Sequence, residues 1–215
     1  MKKQQEKEIL FESTAKLASS FGACARLKIL YLLAQAPRSV ENIAQITGES
    51  IANTSQHLKR LFHEKLVCVR KDKLSRIYSL SNEKIALHIE GLFALSESLA
   101  LDANNKHDDE TEDDMQCTQS IEAIMNAVKN KKAILIDVRE DYEAKQSPVA
   151  NAISIPLANL KKAASTLAKN KTYFLFCRGR ACDMASTGVV VLRSLGLSAY
   201  RLLEHPAMLR MRERK

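Results

Sequence analysis

The sequence contains no tryptophan, and it has only four prolines and six glycines among its 215 residues. This composition argues against a fibrous or largely disordered chain. The longest apolar runs, such as AILI and VVVL, are far shorter than the roughly 20 residues that a helix needs to span a bilayer. The charged opening, MKKQQEKEIL, is not followed by the apolar segment of a secretory signal. We therefore expect no membrane span and no secretory signal, and the 46% of hydrophobic residues is sufficient for packed cores.

The five cysteines are odd in number and scattered, unlike those of a small disulfide-rich secreted domain. This usage favours a reducing, cytoplasmic compartment, in which a functional cysteine is catalytic or binds a metal. Cys24 and Cys68 stand among apolar neighbours in the sequence, and we expect them to pack as small hydrophobic side chains. The alternative is that these two residues are redox-sensing thiols.

The net charge of +8 is unevenly distributed along the chain. Residues 1–100 carry 15 basic and 10 acidic side chains, and residues 118–215 carry 17 and 8. Between them, residues 101–117 carry one lysine and seven acidic side chains, with almost no apolar residues. Such a segment buries too little surface to offset its ordering entropy. We therefore expect a flexible acidic linker, 101–117, between two domains, 1–100 and 118–215.

Two short amphipathic helices joined by a tight turn are predicted in the first domain. A longer helical pattern, FESTAKLASSFGACARLKILYLLAQA, precedes them and stops at Pro37. Ser39 is the expected N-cap of the first short helix, SVENIAQI, and Gly48 lies in the turn TGES. The second helix, IANTSQHLKRLFHEKL, follows Ser50 as its cap. Its predicted inner face comprises Ile51, Thr54, Ser55, Leu58, Leu61 and Phe62.

A helix-turn-helix of this kind places its second helix in the major groove of DNA. The next residues predict a β-hairpin, with strands Leu66–Arg70 and Arg76–Leu80 and a basic tip positioned as a wing on the phosphates. Amide and basic side chains suit base edges and phosphates. We predict a DNA-binding set of Asn53, Thr54, Gln56, His57, Lys59, Arg60, Lys71, Lys73 and Arg76. Alternatively, the face is an ordinary solvated surface, or the acidic linker folds back on it as an inhibitor.

Residues 22–80 closely resemble the ArsR-type winged-helix repressors. The motifs that carry the resemblance are ARLKIL from Ala25, SQHL from Ser55, the Leu66-Val67 pair and Tyr78, and the similarity extends over roughly residues 8–100. It implies an α+β winged helix-turn-helix domain that forms a homodimer. The helix near Asn82–Leu101 would pair across the two-fold axis, although its apolar stripe equally suits packing on its own domain.

Many proteins of this family sense metals through cysteine pairs in the first helix of the motif, or through histidine and aspartate sets on the dimer helix. Here SVENIAQI contains no cysteine, and the dimer helix carries His88 alone. We therefore expect no metal site.

Helical and strand patterns alternate in the second domain. Strands are indicated by KAILIDVR, NAISIP, KTYFLFC and SAYRLL, and helices by SIEAIMNAVKN, EDYEAKQ, LANLKKAASTLAKN and DMASTGVVVLRSLG. This alternation predicts an α/β domain with a parallel sheet and flanking helices. Ligands of such sheets lie at the carboxyl ends of the strands, where Asp137, Arg139 and Cys177 fall.

Cys177 ends a predicted strand and begins the stretch CRGRAC. Loop N–H groups, the N-terminus of the next helix and two arginines all favour a thiolate, so we predict a reactive nucleophile. A cysteine phosphatase needs arginine where Asp183 stands, and a zinc site lacks a second cysteine pair. An inert buried Cys177 and a transient disulfide with Cys182 remain open alternatives.

The pattern ILIDVREDYEAKQSPVANAISIPLANL, followed by YFLFCRGRAC, resembles a single-domain rhodanese over about residues 118–204. The resemblance implies that Cys177 carries a persulfide and that Asp137 and Arg139 support its loop. The N–H groups that would cradle the persulfide belong to the active loop Arg178, Gly179, Arg180, Ala181 and Cys182.

Three positions depart from the common rhodanese pattern: Ser147-Pro148, His205 and Cys182. They affect the expected efficiency and substrate more than the fold. We hypothesise that Cys182 resolves a persulfide on Cys177 into a disulfide and releases sulfide.

These features together predict a DNA-binding transcriptional regulator, by resemblance a repressor, whose rhodanese domain accepts sulfane sulfur for transfer or sensing. We expect sulfurtransferase activity, no cofactor and no membrane partner. The expected partners are double-stranded operator DNA, a second copy of the chain and a small sulfur donor such as thiosulfate or a persulfide. Two alternatives are an inactive rhodanese used only for sensing, and a sulfurtransferase whose winged helix serves mainly for dimerisation.

Overall fold

The computed structural model describes residues 2–73, 75–103 and 115–213. The chain forms two compact units, Met1–Ile89 and Glu90–Lys215. Most of the predicted linker, residues 104–114, lies outside the described residues. Of its described ends, residues 101–103 continue a helix, and Gln116 forms a parallel bridge with Arg201.

The first unit combines helices with a small antiparallel sheet. Its elements are α1 (Lys2–Phe21), α2 (Cys24–Gln35), β1 (Arg38–Ser39), α3 (Val40–Thr47), α4 (Ile51–His63), β2 (Val67–Asp72), β3 (Ser75–Leu80) and the start of α5 (Glu83–Ala103). The strand order is β1-β3-β2, and β2 and β3 form the predicted hairpin. The predicted α+β winged helix-turn-helix is therefore confirmed.

The long helical pattern before Pro37 is divided into α1 and α2, which are bent by 87° from one another. Gly22, a poor helix former, lies at the break. The buried guanidinium of Arg26 donates from Nε to Ser20 O at 2.7 Å and from Nη2 to Ser19 O at 2.8 Å. These bonds satisfy carbonyls that the end of α1 leaves without helical partners. The apolar spacing predicted one continuous helix because it does not register such a break.

Both predicted N-caps of the helix-turn-helix are confirmed. Ser39 Oγ accepts a hydrogen bond from the Asn42 N–H at 3.3 Å, and Ser50 Oγ accepts one from the Asn53 N–H at 3.1 Å. Between the helices, Gly48 adopts the left-handed conformation with a φ of 73°. A left-handed residue after α3 favours glycine because it has no Cβ.

The buried face of α4 is narrower than the sequence predicted. Leu58 and Leu61 are fully buried, whereas Ile51 and Phe62 are 54% and 47% exposed. Thr54 is fully buried too, so its inclusion in the DNA-binding set was wrong. Its side chain packs inside the unit, out of reach of a nucleic acid. The rest of this core is formed by Ile29, Leu30, Leu33, Ile43, Leu66, Val67 and Ile89.

In the part of the chain that the structure describes, no single helix is both long enough and apolar enough to cross a membrane, although the bent pair α1 and α2 passes that test by length and composition alone.

The second unit contains the parallel sheet that the alternating pattern predicted. Its elements are α6 (Ile121–Lys129), β4 (Ala133–Asp137), α7 (Asp141–Gln146), β5 (Ala152–Ser154), α8 (Leu157–Ala163), a short 3-10 helix (Ala164–Thr166), β6 (Thr172–Phe176), α9 (Met184–Ser194), β7 (Ser198–Arg201) and α10 (Pro206–Glu213). The strand order is β5-β4-β6-β7, with every neighbouring pair parallel. The predicted α/β domain is confirmed. The sequence analysis did not predict α10.

Helices cover both faces of this sheet, and the two faces have separate apolar cores. On one face, Leu175 and Cys177 pack with residues of α8 and α9, including Leu160 and Val189. On the other, Phe174 and Phe176 pack with α6 and α10. Alternate residues of β6 thus face opposite sides, as a strand buried on both faces requires. Cys177 therefore lies on the α9 side, directly beyond the end of the strand.

Candidate functional site

The loop from Cys177 to Cys182 joins β6 to α9 at the carboxyl edge of the parallel sheet. Asp137, the last residue of β4, is in register with Phe176, the last residue of β6. The Val138 N–H donates to Phe176 O at 3.1 Å, so the chain after β4 stays close to the end of β6. The structure therefore brings Asp137, Arg139 and Cys177 to one edge, which is where parallel sheets bind ligands.

Cys177 and Cys182 form a buried pair of free thiols. Their residues are 1% and 8% exposed, respectively. The Cys177 thiol donates to the carbonyl oxygen of Cys182 at 3.2 Å. Both side chains belong to the same apolar cluster, together with Ala185 and Leu175. The acidity of each thiol consequently depends on the other.

The interaction between the two thiols moves their acidities in opposite directions. It lowers the pKa of Cys182 to about 6, helped by the amide groups of Met184 and Arg178 and by the charge of Arg178, while burial opposes the shift. It raises the pKa of Cys177, and burial raises it further. Two close, buried sulfurs resist carrying a negative charge at the same time. Only one of the two sulfurs therefore carries the charge at a time, and these shifts favour Cys182 over Cys177.

Backbone amides face both sulfurs, but they are only partly those of the predicted cradle. The amide of Arg178 lowers the pKa of both thiols, the amide of Ala185 lowers that of Cys177, and the amide of Met184 lowers that of Cys182. Met184 and Ala185 belong to the first turn of α9. The start of a helix thus supplies free N–H groups and its positive dipole end to the pair.

Arg178 forms an ion pair that the sequence analysis missed. Its Nε lies 2.9 Å from Glu143 Oε2 and 3.1 Å from Glu143 Oε1, and the Glu143 side chain is 1% exposed. Glu143 belongs to α7, thirty-five positions before the loop. Nothing in its spacing separates it from its acidic neighbours Glu140 and Asp141. Its role emerges only when the fold places α7 beside the loop.

Arg201 holds the far end of the loop and was also missed. It is buried at the end of β7. Its Nη2 donates to the carbonyl oxygens of Arg180 and Cys182, both at 3.2 Å, and its Nη1 donates to Ser186 Oγ at 2.9 Å. One guanidinium thus links the loop to the first turn of α9. A single charged residue in the otherwise apolar stretch SAYRLL was the available signal.

Asp137 and Arg139 form a fully buried bidentate pair. Arg139 Nη2 lies 2.6 Å from Asp137 Oδ2, and Nε lies 2.9 Å from Oδ1. The guanidinium also donates to Ser147 O at 2.9 Å and lies 5.8 Å from the ring centre of Phe176. The pair contacts the residue just before Cys177. Because Ser147 contributes its backbone carbonyl, its side chain does not determine this contact.

Gly179, Arg180 and Ala181 complete the loop. Gly179 has a φ of 94°, in the left-handed region that favours glycine because it has no Cβ. Arg180 is half-buried, and its carbonyl is the one that Arg201 holds. Ala181 is exposed.

His205, one of the departures from the rhodanese pattern, is buried beneath this edge. Burial, followed by the charges of Arg139 and Arg210, lowers the pKa of its imidazole to about 3. Its Nδ1 accepts a hydrogen bond from the Ala207 N–H at 3.1 Å, near the start of α10. The ring is thus neutral and serves as a cap for that helix.

The predicted DNA-binding residues other than Thr54 are accessible to different degrees. Asn53 and His57 are half-buried, and Asn53 Nδ2 donates to Glu49 Oε2 at 2.5 Å. The exposed members lie on α4 and on the hairpin of β2 and β3: Gln56, Lys59, Arg60, Lys71, Lys73 and Arg76. They present amide and basic groups to solvent, as contacts with the major groove and the phosphates of DNA require.

The remaining cysteines do not form a site. Cys24 and Cys68 are exposed, so the expectation that they pack as small hydrophobic side chains was wrong. The Cys68 sulfur lies 3.0 Å from Ser79 Oγ across the hairpin. Across the described ranges, no group of three or more histidine, cysteine or acidic side chains is placed to hold a metal ion.

The two halves of the chain match different protein families, and one known regulator matches nearly the whole chain. Residues 25–67 match the bacterial regulatory proteins of the arsR family, and residues 120–205 match the rhodanese-like domain. The HTH-type transcriptional regulator Rv0324 of Mycobacterium tuberculosis (strain ATCC 25618 / H37Rv) is 30% identical over 206 residues, covering 91% of this chain and 86% of that protein. The regulator YgaV of Escherichia coli (strain K12) is 36% identical over 75 residues, 34% of this chain and 76% of that protein.

Among solved structures, the homodimeric winged helix-turn-helix DNA-binding domain of Mb0332 from Mycobacterium bovis is similar to the first unit. The two sequences are 34% identical, and the alignment covers 47% of this chain and 89% of that chain, with a TM-score of 0.38.

A winged helix-turn-helix followed by a rhodanese-like unit defines a two-part transcriptional regulator. The chain belongs to the ArsR family of bacterial regulatory proteins and carries a rhodanese-like domain in its second half.

Proposed function

We propose that this regulator binds operator DNA as a homodimeric repressor, and that its rhodanese-like domain accepts sulfane sulfur as a persulfide on Cys177. The observation that carries the sulfur chemistry is the site of Cys177, beyond the end of β6, where amides from the loop and from α9 face its sulfur. A small donor such as thiosulfate or a persulfide supplies the sulfur. The reduced cytoplasm is the compartment that suits five free cysteines.

DNA binding is supported by the exposed basic and amide side chains of α4 and of the hairpin. Lys59 and Arg60 on α4, together with Lys71, Lys73 and Arg76, provide positive charge for phosphates. Gln56 is an exposed amide that suits an adenine edge. In this proposal the winged-helix domain ends near residue 100, before the acidic segment.

Homodimer formation is supported by apolar side chains that the single chain leaves exposed. On α1, Ile9, Leu10 and Phe11 are 58%, 65% and 72% exposed, and on α5, Leu95 and Leu99 are 55% and 60% exposed. Apolar side chains repeated along one helix mark an interaction surface. A second copy of the chain is the partner that we propose for α1 and α5.

Persulfide formation follows from thiol chemistry. The Cys177 sulfur attacks the sulfane sulfur of thiosulfate and forms a new S–S bond, while the S–S bond of thiosulfate breaks and its electron pair leaves with sulfite. Because Cys182 ionises first, the proton of the pair must move to Cys182 before Cys177 attacks. Amides of Arg178 and Ala185 then stabilise the charge on Cys177 and on its persulfide.

Intact-mass spectrometry of the reduced full-length chain after thiosulfate treatment tests this proposal. At early times we expect the wild type to gain one sulfur atom, whereas Cys177→Ser gains none. Cys117→Ser, at a half-exposed cysteine outside the loop, is the matched control and should behave as the wild type. Equal sulfur gain in wild type and Cys177→Ser would contradict the proposal.

A second candidate is a domain that binds sulfur for sensing without turning it over. The raised pKa of Cys177 and its 1% exposure favour this alternative, because both slow repeated attack and transfer. A thiosulfate:cyanide assay separates the two functions. Multiple turnovers that disappear in Cys177→Ala indicate an enzyme, whereas a single persulfide without thiocyanate production indicates a sensor.

A further inference from the structure

We propose that Cys182 attacks the persulfide on Cys177, so that the loop closes as a Cys177–Cys182 disulfide and releases hydrosulfide. This step rests on the proposed persulfide of Cys177. It would make the domain a reductive sulfide-releasing site in addition to a sulfur acceptor.

The geometry of the pair supports attack within the loop. The Cys177 sulfur lies 3.2 Å from the carbonyl oxygen of Cys182. Both side chains are buried in the same apolar cluster. An attacking thiolate held in the same buried loop as its target needs no bimolecular encounter, which raises its effective concentration greatly.

The surroundings of Cys182 suit the attacking role. The amides of Met184 and Arg178 and the charge of Arg178 favour its thiolate. Arg201 holds its carbonyl, and thereby fixes the backbone from which the side chain extends. The loop thus disfavours a thiolate on Cys177 and favours one on the neighbouring Cys182.

The step is balanced as a thiol–disulfide exchange. The Cys182 thiolate attacks the Cys177 sulfur, forming the Cys177–Cys182 bond and breaking the bond between Cys177 and the sulfane sulfur. The electron pair and the persulfide proton leave together as hydrosulfide. The two cysteines are oxidised by two electrons, and the sulfane sulfur is reduced by two. A low-molecular-weight thiol in excess returns the loop to its dithiol form.

Trypsin provides a direct readout of the product. It cleaves after Arg178 and Arg180, so the two cysteines fall on separate peptides, residues 172–178 and 181–193. A Cys177–Cys182 disulfide therefore joins two peptides that otherwise separate. Alkylation before digestion distinguishes free thiols, persulfides and this cross-link.

The experiment uses the reduced full-length chain, treated briefly with thiosulfate, freed of the reagent and followed over time. In wild type we expect the persulfide to disappear, the cross-linked peptides to accumulate and up to one hydrosulfide per chain to be released. Cys182→Ser and Cys182→Ala lack the thiol that takes up the Cys177 proton, so they should gain the sulfur atom more slowly, but the persulfide that forms should persist without hydrosulfide release. Cys117→Ser should follow the wild type. Circular dichroism shows that each variant is folded.

The outcomes separate this inference from the proposed function. A wild-type persulfide as durable as that of Cys182→Ser overturns the resolving step and leaves persulfide formation intact. Hydrosulfide release without the cross-link, or equal release from both Cys182 variants, also overturns it. If neither wild type nor the Cys182 variants gain sulfur, the proposed function itself fails, and the resolving step fails with it.

Discussion

Arg201 Nη2 lies 3.2 Å from the carbonyl oxygen of Cys182 and donates a hydrogen bond to it. The same nitrogen holds the carbonyl of Arg180, so the end of β7 fixes the second half of the loop. Arg201 is thus a positioning residue that acts on the cysteine pair through the loop backbone.

Replacing Arg201 should impair the loop more than the fold around it. In Arg201→Met, the carbonyl of Arg180 loses its donor, at a cost on the order of 1–3 kcal/mol for a buried unsatisfied group, and the carbonyl of Cys182 keeps only the Cys177 thiol. We expect sulfur uptake to slow about tenfold, equivalent to about 1.4 kcal/mol in the barrier. Arg201→Lys should recover part of the rate because it retains a cationic donor. Rates come from mass spectrometry after thiosulfate treatment.

Arg193→Met is the matched control for Arg201. Arg193 is half-buried, donates to Ala199 O at 2.9 Å and lies over the ring of Tyr200. This variant should lose stability without slowing sulfur uptake. Equal slowing in the two methionine variants would show that Arg201 acts through stability alone.

The acidity of Cys182 should depend on the Cys177 side chain. Alkylation of Cys182 by iodoacetamide requires its thiolate, so the rate should rise with pH through a midpoint near 6 in wild type. Cys177→Ala removes the neighbouring thiol and should move the midpoint upward, because burial then dominates. Cys177→Ser retains a hydroxyl donor and should stay closer to wild type. Quantifying the alkylated peptide 181–193 measures each profile.

An identical pH profile in all three proteins would show that the thiols do not control one another. In that case Cys182 would not be the first of the two thiols to ionise because of its neighbour Cys177.

Buried neutral His205 should make the second unit sensitive to acid. Its folded pKa of about 3 lies below the ordinary value of 6.5, so the unfolded chain binds a proton that the folded chain excludes between these values. The free energy of unfolding therefore falls as pH decreases from about 6.5 towards 3. In His205→Gln this contribution is absent. Its free energy of unfolding should fall less steeply, by up to about 1.4 kcal/mol per pH unit.

Urea unfolding between pH 7 and pH 4.5 measures that difference. His63→Gln, at an exposed histidine of α4, serves as the control and should retain the wild-type slope. A wild-type slope in His205→Gln would contradict the burial of a neutral imidazole.

The salt dependence of DNA affinity should identify the DNA-binding face. Lys59→Gln removes an exposed charge of α4. We expect weaker binding to the DNA upstream of the protein's own gene, and a salt slope reduced by about 0.9 if one phosphate contact is lost. Lys28→Gln removes an exposed charge from α2, outside the proposed face, and should change neither quantity. Fluorescence anisotropy at several salt concentrations measures both. Equal effects of the two substitutions would point to net charge rather than to a specific face.

Local patterns predicted the fold well because they depend on short-range chemistry. Ser39 and Ser50 cap helices through N–H groups three positions away, and the strands of the second unit carry continuous apolar runs. The bend between α1 and α2 escaped prediction because Arg26 reaches back to carbonyls that no periodicity identifies.

The candidate site was predicted in part. The position of Cys177 at the edge of the sheet was predicted, because the apolar run of β6 ends directly before it in the sequence. Glu143 and Arg201 lie at a distance along the chain and reach the loop only through the sheet topology. No sequence pattern indicates which of Cys177 and Cys182 is the more acidic, because their acidities depend on how the fold places the two sulfurs. Thr54 was included in the DNA-binding set although its spacing also placed it on the inner face of α4, where the structure buries it.

The central claim is that sulfur enters the loop on Cys177, even though Cys182 is the more acidic thiol. The most direct test stops the thiosulfate reaction at early times by alkylation and maps the added sulfur after tryptic digestion. The account predicts that it appears first on the peptide 172–178, which contains Cys177, in both wild type and Cys182→Ser. Sulfur that appears first on the peptide 181–193, or uptake by Cys177→Ser, would contradict the account.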